Sequence, residues 1–235
     1  MDFSKLAEKT IQELFGGWKW WEATFLIFCI VAIIWGGIYD IQTNGMNAKA
    51  PVIGMISGVS GIICNVFISK GKISNYFFGL IFAYSYFYLA LANNFLGEMN
   101  TTLYVYIPAQ FIGYFLWTQN MQNDNGAEAV IAKALDLKSW IALITFLLLG
   151  TLSFVQLLNH FGGSSTGLDG LTTIIVVAAQ ALMVLRYREQ WLLWIALNII
   201  SIALWADSPA VYTMYAAFLL NSIYGYYNWT KLKVN

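Results

Sequence analysis

The sequence predicts an all-α integral membrane protein with eight transmembrane helices. Two parallel three-helix repeats are joined by a linker helix, a 3+1+3 core, and one extra helix precedes them. Three observations predict this class. The first is composition: of 235 residues, 59% are hydrophobic and only 10% are charged, where an ordinary soluble domain carries about 25% charged residues. The second is internal repetition. Lys70 and Lys72 precede one hydrophobic run and Arg186 and Arg188 precede another, at an offset of 116, while Gly113, Tyr114 and Trp117 recur as Gly225, Tyr226 and Trp229 at an offset of 112. The difference is a shorter connection in the second copy. Parallel repeats of this kind are a transporter architecture with the site at the repeat interface.

The third observation is the distribution of cations. Apolar runs near 22–39, 50–69, 73–92, 101–118, 138–157, 168–186, 190–206 and 209–229 have about the length a span requires. With eight spans, Lys5, Lys9, Lys19, Lys70, Lys72, Lys133, Lys138, Arg186, Arg188, Lys231 and Lys233 fall on one face and only Lys49 on the other. The positive-inside rule then places both termini in the cytoplasm. On the outer face Asp40, Glu98, Asp169 and Asp207 outnumber Lys49, a field that repels anionic solutes and admits neutral or cationic ones.

Each segment follows from its own pattern. Residues 1–17 read as an amphipathic helix on the inner leaflet, with Phe3, Leu6, Ile11, Leu14 and Phe15 on one face and Lys5, Glu8, Lys9, Gln12 and Glu13 on the other. Trp18, Trp20 and Trp21 then form an interfacial belt. Residues 18–40 are the extra N-terminal span, and no small-residue cleavage site marks it as a removable signal. The first repeat occupies 50–118, a polar cytoplasmic loop expected to be a flexible connector occupies 119–137, the linker span 138–158, and the second repeat 168–230.

The chemistry-bearing residues exclude an enzyme. Cys29 and Cys64 fall inside separate spans as packing residues, and the single histidine, His160, cannot build a metal site alone. No nucleophile–base pair and no Gly-rich phosphate loop is present. Neither cofactor nor metal is expected, and no nucleic-acid partner. No acid or base lies at mid-span, which argues against proton coupling and leaves sodium open.

Amides and aromatic residues remain as candidates. Trp191, Trp194, Asn198 and Trp205 lie at i, i+3, i+7 and i+14, within about 60° of one another on a helix. Tyr106, Gln110, Tyr114 and Trp117 share a face of the fourth span, Asn221 shares one with Phe218, Tyr224, Gly225 and Asn228 in the eighth, and Gln180 sits mid-span in the sixth. Amides in spans also serve as interhelical glue, and aromatic residues there also simply pack. Clustered together, they offer stacking surfaces with paired donors and acceptors, suited to a flat, even cationic, heterocycle. At the offsets above, Gln180 aligns with Cys64, Trp194 with Phe78, Asn198 with Phe82 and Asn221 with Ala109. Amides gathered in the second copy, with Gln110 from the first, predict an asymmetric ligand site.

The run AQALMVLRYREQWLLWIALNIISIALW (179–205) with NSIYGYYNW (221–229) resembles the PnuC family of bacterial nicotinamide riboside transporters, and the resemblance extends over roughly residues 50–230. It implies a core related to the sugar-transporting SWEETs in the bacterial inner membrane. It also implies vitamin uptake by facilitated diffusion, with the substrate trapped by phosphorylation inside. The vitamin site it implies comprises Gln110, Gln180, Trp191, Trp194, Asn198 and Asn221, with Tyr114 and Tyr224 beside them. Alternatives on the same fold are a transporter of thiamine, riboflavin or a sugar, and, in another class, a vitamin-binding receptor. Membrane lipid surrounds the chain, and its apolar surface accommodates a homo-oligomer.

Overall fold

The computed structural model describes residues 11–44, 49–92, 96–124, 127–160, 167–204 and 209–232. The chain divides into two units, Met1–Ile131 and Ala132–Asn235.

In the first unit a helical turn at residues 11–15 precedes α1 (Trp20–Asn44), α2 (Lys49–Ser69) and α3 (Asn75–Ala92). The next helix is built in three pieces: α4 (Leu96–Thr101), a π-helical segment (Thr102–Tyr106) and α5 (Ile107–Thr118). Pro108 causes the break. It has no N–H for the carbonyl four residues back, and the Ile107 N–H instead donates to Thr102 O, five back. Within this unit α1 packs on α2, α2 on α3, and α3 on α5.

The second unit contains α6 (Leu137–His160), α7 (Gly167–Val184), α8 (Gln190–Leu204) and α9 (Pro209–Lys231). Here α6 packs on α7, α7 on α8, and α8 on α9. The expected linker helix is thus the first member of the second unit, as the extra N-terminal helix is of the first. Both opening pairs use small residues for close approach. A Cβ on Gly37 or Gly58 would strike Met55 or Ile33 across α1 and α2, and one on Gly150 or Gly170 would press on Ile174 or Val155 across α6 and α7. Four described helices are long and apolar enough to cross a membrane: α1, α2, α3 and α6. Because α1 and α6 bury almost none of their apolar surface within the chain, they require an apolar surrounding.

The two central turns share one geometry. Gly71 takes φ 69° after α2, and Arg186 takes φ 69° after α7. Lys72 N donates to Phe67 O at 2.9 Å and Tyr187 N to Leu182 O at 2.8 Å, the six-to-one bond of a Schellman cap. The following helices begin at Asn75 and Gln190. The structural offset through this part of the repeat is therefore 115, one less than the cation pairs suggest. The pairs mislead because a helix cap is set by the left-handed residue, whereas basic side chains only need to reach the same interface.

The described residues of 119–137 are not the expected flexible connector. Strands β1 (Met121–Asp124) and β2 (Ala127–Val130) pair antiparallel, with Met121 opposite Val130. In the first unit Val130 N donates to Gly71 O and Ile131 N to Asn120 O; in the second, Ala132 N donates to Leu232 O and Lys133 N to Arg186 O. Ala129, Val130 and Ala132 are buried. Small apolar side chains and satisfied backbone donors hold this stretch where its polar composition suggested a loop.

Candidate functional site

The first unit supplies Gln110 on α5. Its side chain is buried, and Nε2 donates to Tyr106 O at 3.2 Å, one turn back at the end of the π segment. A carbonyl only accepts, so the amide nitrogen must face it. The carboxamide lies over Gly79 of α3, beside Cys64, in space that any Cβ would fill. Its Oε1 is buried without a hydrogen-bond partner among the described residues. Tyr114 departs from the predicted stripe. It is 54% exposed while Gln110 and Trp117 are buried, and it touches Tyr76 edge-on at 6.4 Å. Tyr76 occupies the inward position, its ring seated on Gly113 and edge-on to Trp117 at 5.1 Å.

The second unit repeats this last arrangement with Trp191. Its ring is buried against Gly225 and lies edge-on to Trp229 at 6.2 Å. Trp191 Nε1 has no hydrogen-bond partner among the described residues. Trp194, though predicted on the same face, packs against the apolar cluster of Leu143, Ile175, Ala178, Ala179, Leu182 and Leu193. Asn198 turns toward α9, where Nδ2 donates to Ser222 Oγ at 3.2 Å and Ser222 Oγ donates to Phe218 O at 2.8 Å. Asn221, next along α9, is buried, and Tyr224 is half-buried. Gln180 is buried on α7, its Nε2 3.9 Å from Met183 Sδ. Trp205 lies outside the described residues.

The revised register changes the repeat comparison. At an offset of 115, Gln180 aligns with Asn65, Trp191 with Tyr76, Trp194 with Gly79 and Asn198 with Ala83. Gln180 thus has a polar counterpart, and the second unit's amides are less one-sided than the sequence reading held. On the third helix Gln110 aligns with Ser222 at 112.

Sequence reasoning missed Ser222, the π segment and Gln190. Gln190 is 0% exposed, and both amide atoms lack hydrogen-bond partners among the described residues. Its counterpart at 115 is the equally buried Asn75. Amides at positions 75 and 190 were the available signal, hidden by the wrong offset.

A second polar cluster sits in the first unit, around the α2–α3 turn. Lys70 Nζ pairs with Glu22, donates to Gly17 O at 2.7 Å and lies 4.9 Å from the Trp18 ring centre. Lys72 Nζ donates to Glu13 O, and Glu13 Oε1 accepts from Ser74 N and Oγ, both at 3.0 Å. Burial pulls the Lys72 amine down to about 8, against the opposing pull of Glu13. Residues 11–22 are therefore strapped onto this turn through their polar side. Trp18 packs on Phe67 at 5.9 Å, so it is not the expected free interfacial anchor, whereas Trp20 is 80% exposed. Residues 1–10 of the expected amphipathic helix lie outside the described residues. Among the described residues, no group of three or more His, Cys, Asp or Glu is placed to hold a metal ion.

A family model described as nicotinamide mononucleotide transporter matches residues 51–231. The chain is 64% identical to the nicotinamide riboside transporter PnuC of Haemophilus influenzae over 227 residues, 97% of each chain. It is 40% identical to the PnuC of Neisseria mucosa, over 94% of this chain and 85% of that one. A crystal structure described as that of the vitamin B3 transporter PnuC superposes with a TM-score of 0.81 at 38% identity, covering 96% of this chain and 97% of that one. On that extent of shared sequence and fold, the chain belongs to the PnuC family of membrane transporters.

Proposed function

We propose that this chain imports nicotinamide riboside by uncoupled, alternating access across the bacterial inner membrane, with the substrate then trapped by phosphorylation in the cytoplasm. The observation that carries the substrate is the 64% identity, over 97% of both chains, to a protein named a nicotinamide riboside transporter. The reading includes eight spans in the 3+1+3 order, both termini cytoplasmic, and a homo-oligomer. It assigns substrate contact to Gln110, Gln180, Trp191, Trp194, Asn198 and Asn221, with Tyr114 and Tyr224 as outer contributors.

The chemistry supports that assignment. A cationic pyridinium ring gains from tryptophan faces, and a carboxamide and ribose hydroxyls match amide donors and acceptors. Carbonyl oxygens left without partners, as on Gln110, favour a ligand rich in donors. The outward acids Asp40, Glu98, Asp169 and Asp207 oppose the phosphate of the mononucleotide that the family model's description names.

The test is calorimetric titration of the solubilised protein with nicotinamide riboside, the mononucleotide, thiamine and riboflavin, followed by uptake into proteoliposomes. Riboside binding with rejection of the mononucleotide, and equilibrative uptake insensitive to sodium and proton gradients, is expected. Concentrative uptake driven by either gradient would refute the uncoupled mechanism, and tighter binding of another vitamin would move the substrate.

A further inference from the structure

Asn198, Ser222 and the Phe218 carbonyl are joined in one directed chain of hydrogen bonds between α8 and α9. A serine hydroxyl carries one proton. At Ser222 that proton goes to Phe218 O, 2.8 Å away on the preceding turn of α9, the usual back-bond of a serine within a helix. Toward Asn198, 3.2 Å away on α8, the hydroxyl then has only lone pairs to present. Asn198 must face it with Nδ2, which turns Oδ1 away from Ser222. Gln110 in its own unit obeys the same logic, its nitrogen spent on Tyr106 O and its oxygen left over. We propose that Ser222 locks Asn198 as a hydrogen-bond acceptor, so that the site selects a ligand carrying an amide N–H donor and rejects the same ligand with a carboxylate in its place.

The inference rests on the proposed riboside site, and its test has one arm that does not. In protein labelled with [15N]asparagine, the Asn198 side-chain amide protons are expected to be protected from exchange with D2O, and the S222A variant to lose that protection at least tenfold, roughly the loss of one hydrogen bond. S222T, which keeps the hydroxyl, should retain it. Unchanged protection in S222A overturns the proposal whatever the protein transports. The second arm compares binding of nicotinamide riboside with its carboxylate analogue, nicotinic acid riboside. Wild type and S222T should prefer the amide by at least about tenfold, and S222A, free to turn Nδ2 outward, should bring the two within about threefold. A proportionate loss of both ligands in S222A would mark a merely structural serine and overturn the proposal. Should wild type bind neither riboside while the exchange result holds, the riboside reading fails and the locking of Asn198 stands.

Discussion

Placing a methyl group at Gly225 tests whether Trp191 is held in a single position. An ideal Cβ at Gly225 would lie 2.5, 2.6 and 2.7 Å from three carbons of the Trp191 ring. Ordinary carbon contacts begin near 3.5 Å, so the ring must retreat by about 1 Å. Behind it stands the Trp229 ring, 6.2 Å away centre to centre and nearly perpendicular, and both rings are buried. Overpacking of this kind costs about 1–3 kcal/mol, partly offset by the gain of up to about 1 kcal/mol that Gly→Ala brings to a helix interior. Gly36 on α1 is the control, since a Cβ there meets nothing within 4 Å. Gly36→Ala should melt at or above the wild-type temperature in detergent, and Gly225→Ala below it. Riboside affinity should fall roughly tenfold or more in Gly225→Ala, about 1.4 kcal/mol, and stay native in Gly36→Ala. Native affinity and native melting in Gly225→Ala would show that the ring has room to move, and would refute the claim that its position matters.

Other consequences follow from the same geometry. Asn198→Ala should weaken riboside binding by about 1–3 kcal/mol, the cost of leaving a buried polar partner unpaired; near-native affinity by calorimetry would remove Asn198 from the site. Lys72 has its amine held near 8 rather than 10.5, so the unfolded chain binds more protons between those values. Stability should therefore rise with pH through that window, with the penalty of the buried ammonium fully present below about pH 8. Melting curves from pH 7.5 to 10 should show that rise in wild type and lose it in Lys72→Met; parallel curves would contradict it. Gly71→Ala should cost about 1–2 kcal/mol, because φ 69° forces Cβ toward the carbonyl, and an unshifted melting temperature would show that the turn relaxes.

The class of the molecule was legible from simple quantities. Apolar runs longer than any soluble helix needs, and charges gathered between them, decide the environment of each segment before any contact forms. The residues proposed for the site were also readable as types, since amides and tryptophans inside apolar runs stand out chemically. Their partnerships were not. Helical spacing placed Trp191 and Trp194 on one face, yet the first packs on Gly225 and the second on the α6–α7 cluster, because a helix between two neighbours divides its face between them. The same spacing put Tyr114 beside Gln110, and Tyr76 took the inward place instead.

The repeat itself shows the division most clearly. Sequence alone determined that there are two copies, because matching Gly and Trp positions at a fixed interval need no structure to be seen. Only the tertiary structure decided the register, at 115 rather than 116 through the central turn, since that is set by which residue adopts the left-handed cap. It also decided that Met121–Asp124 and Ala127–Val130 pair as strands, with Ala129, Val130 and Ala132 buried, and which way the Asn198 carboxamide faces. Those outcomes depend on which distant backbone and side-chain groups meet, and hydrogen bonds of that range are written in no local pattern of the chain.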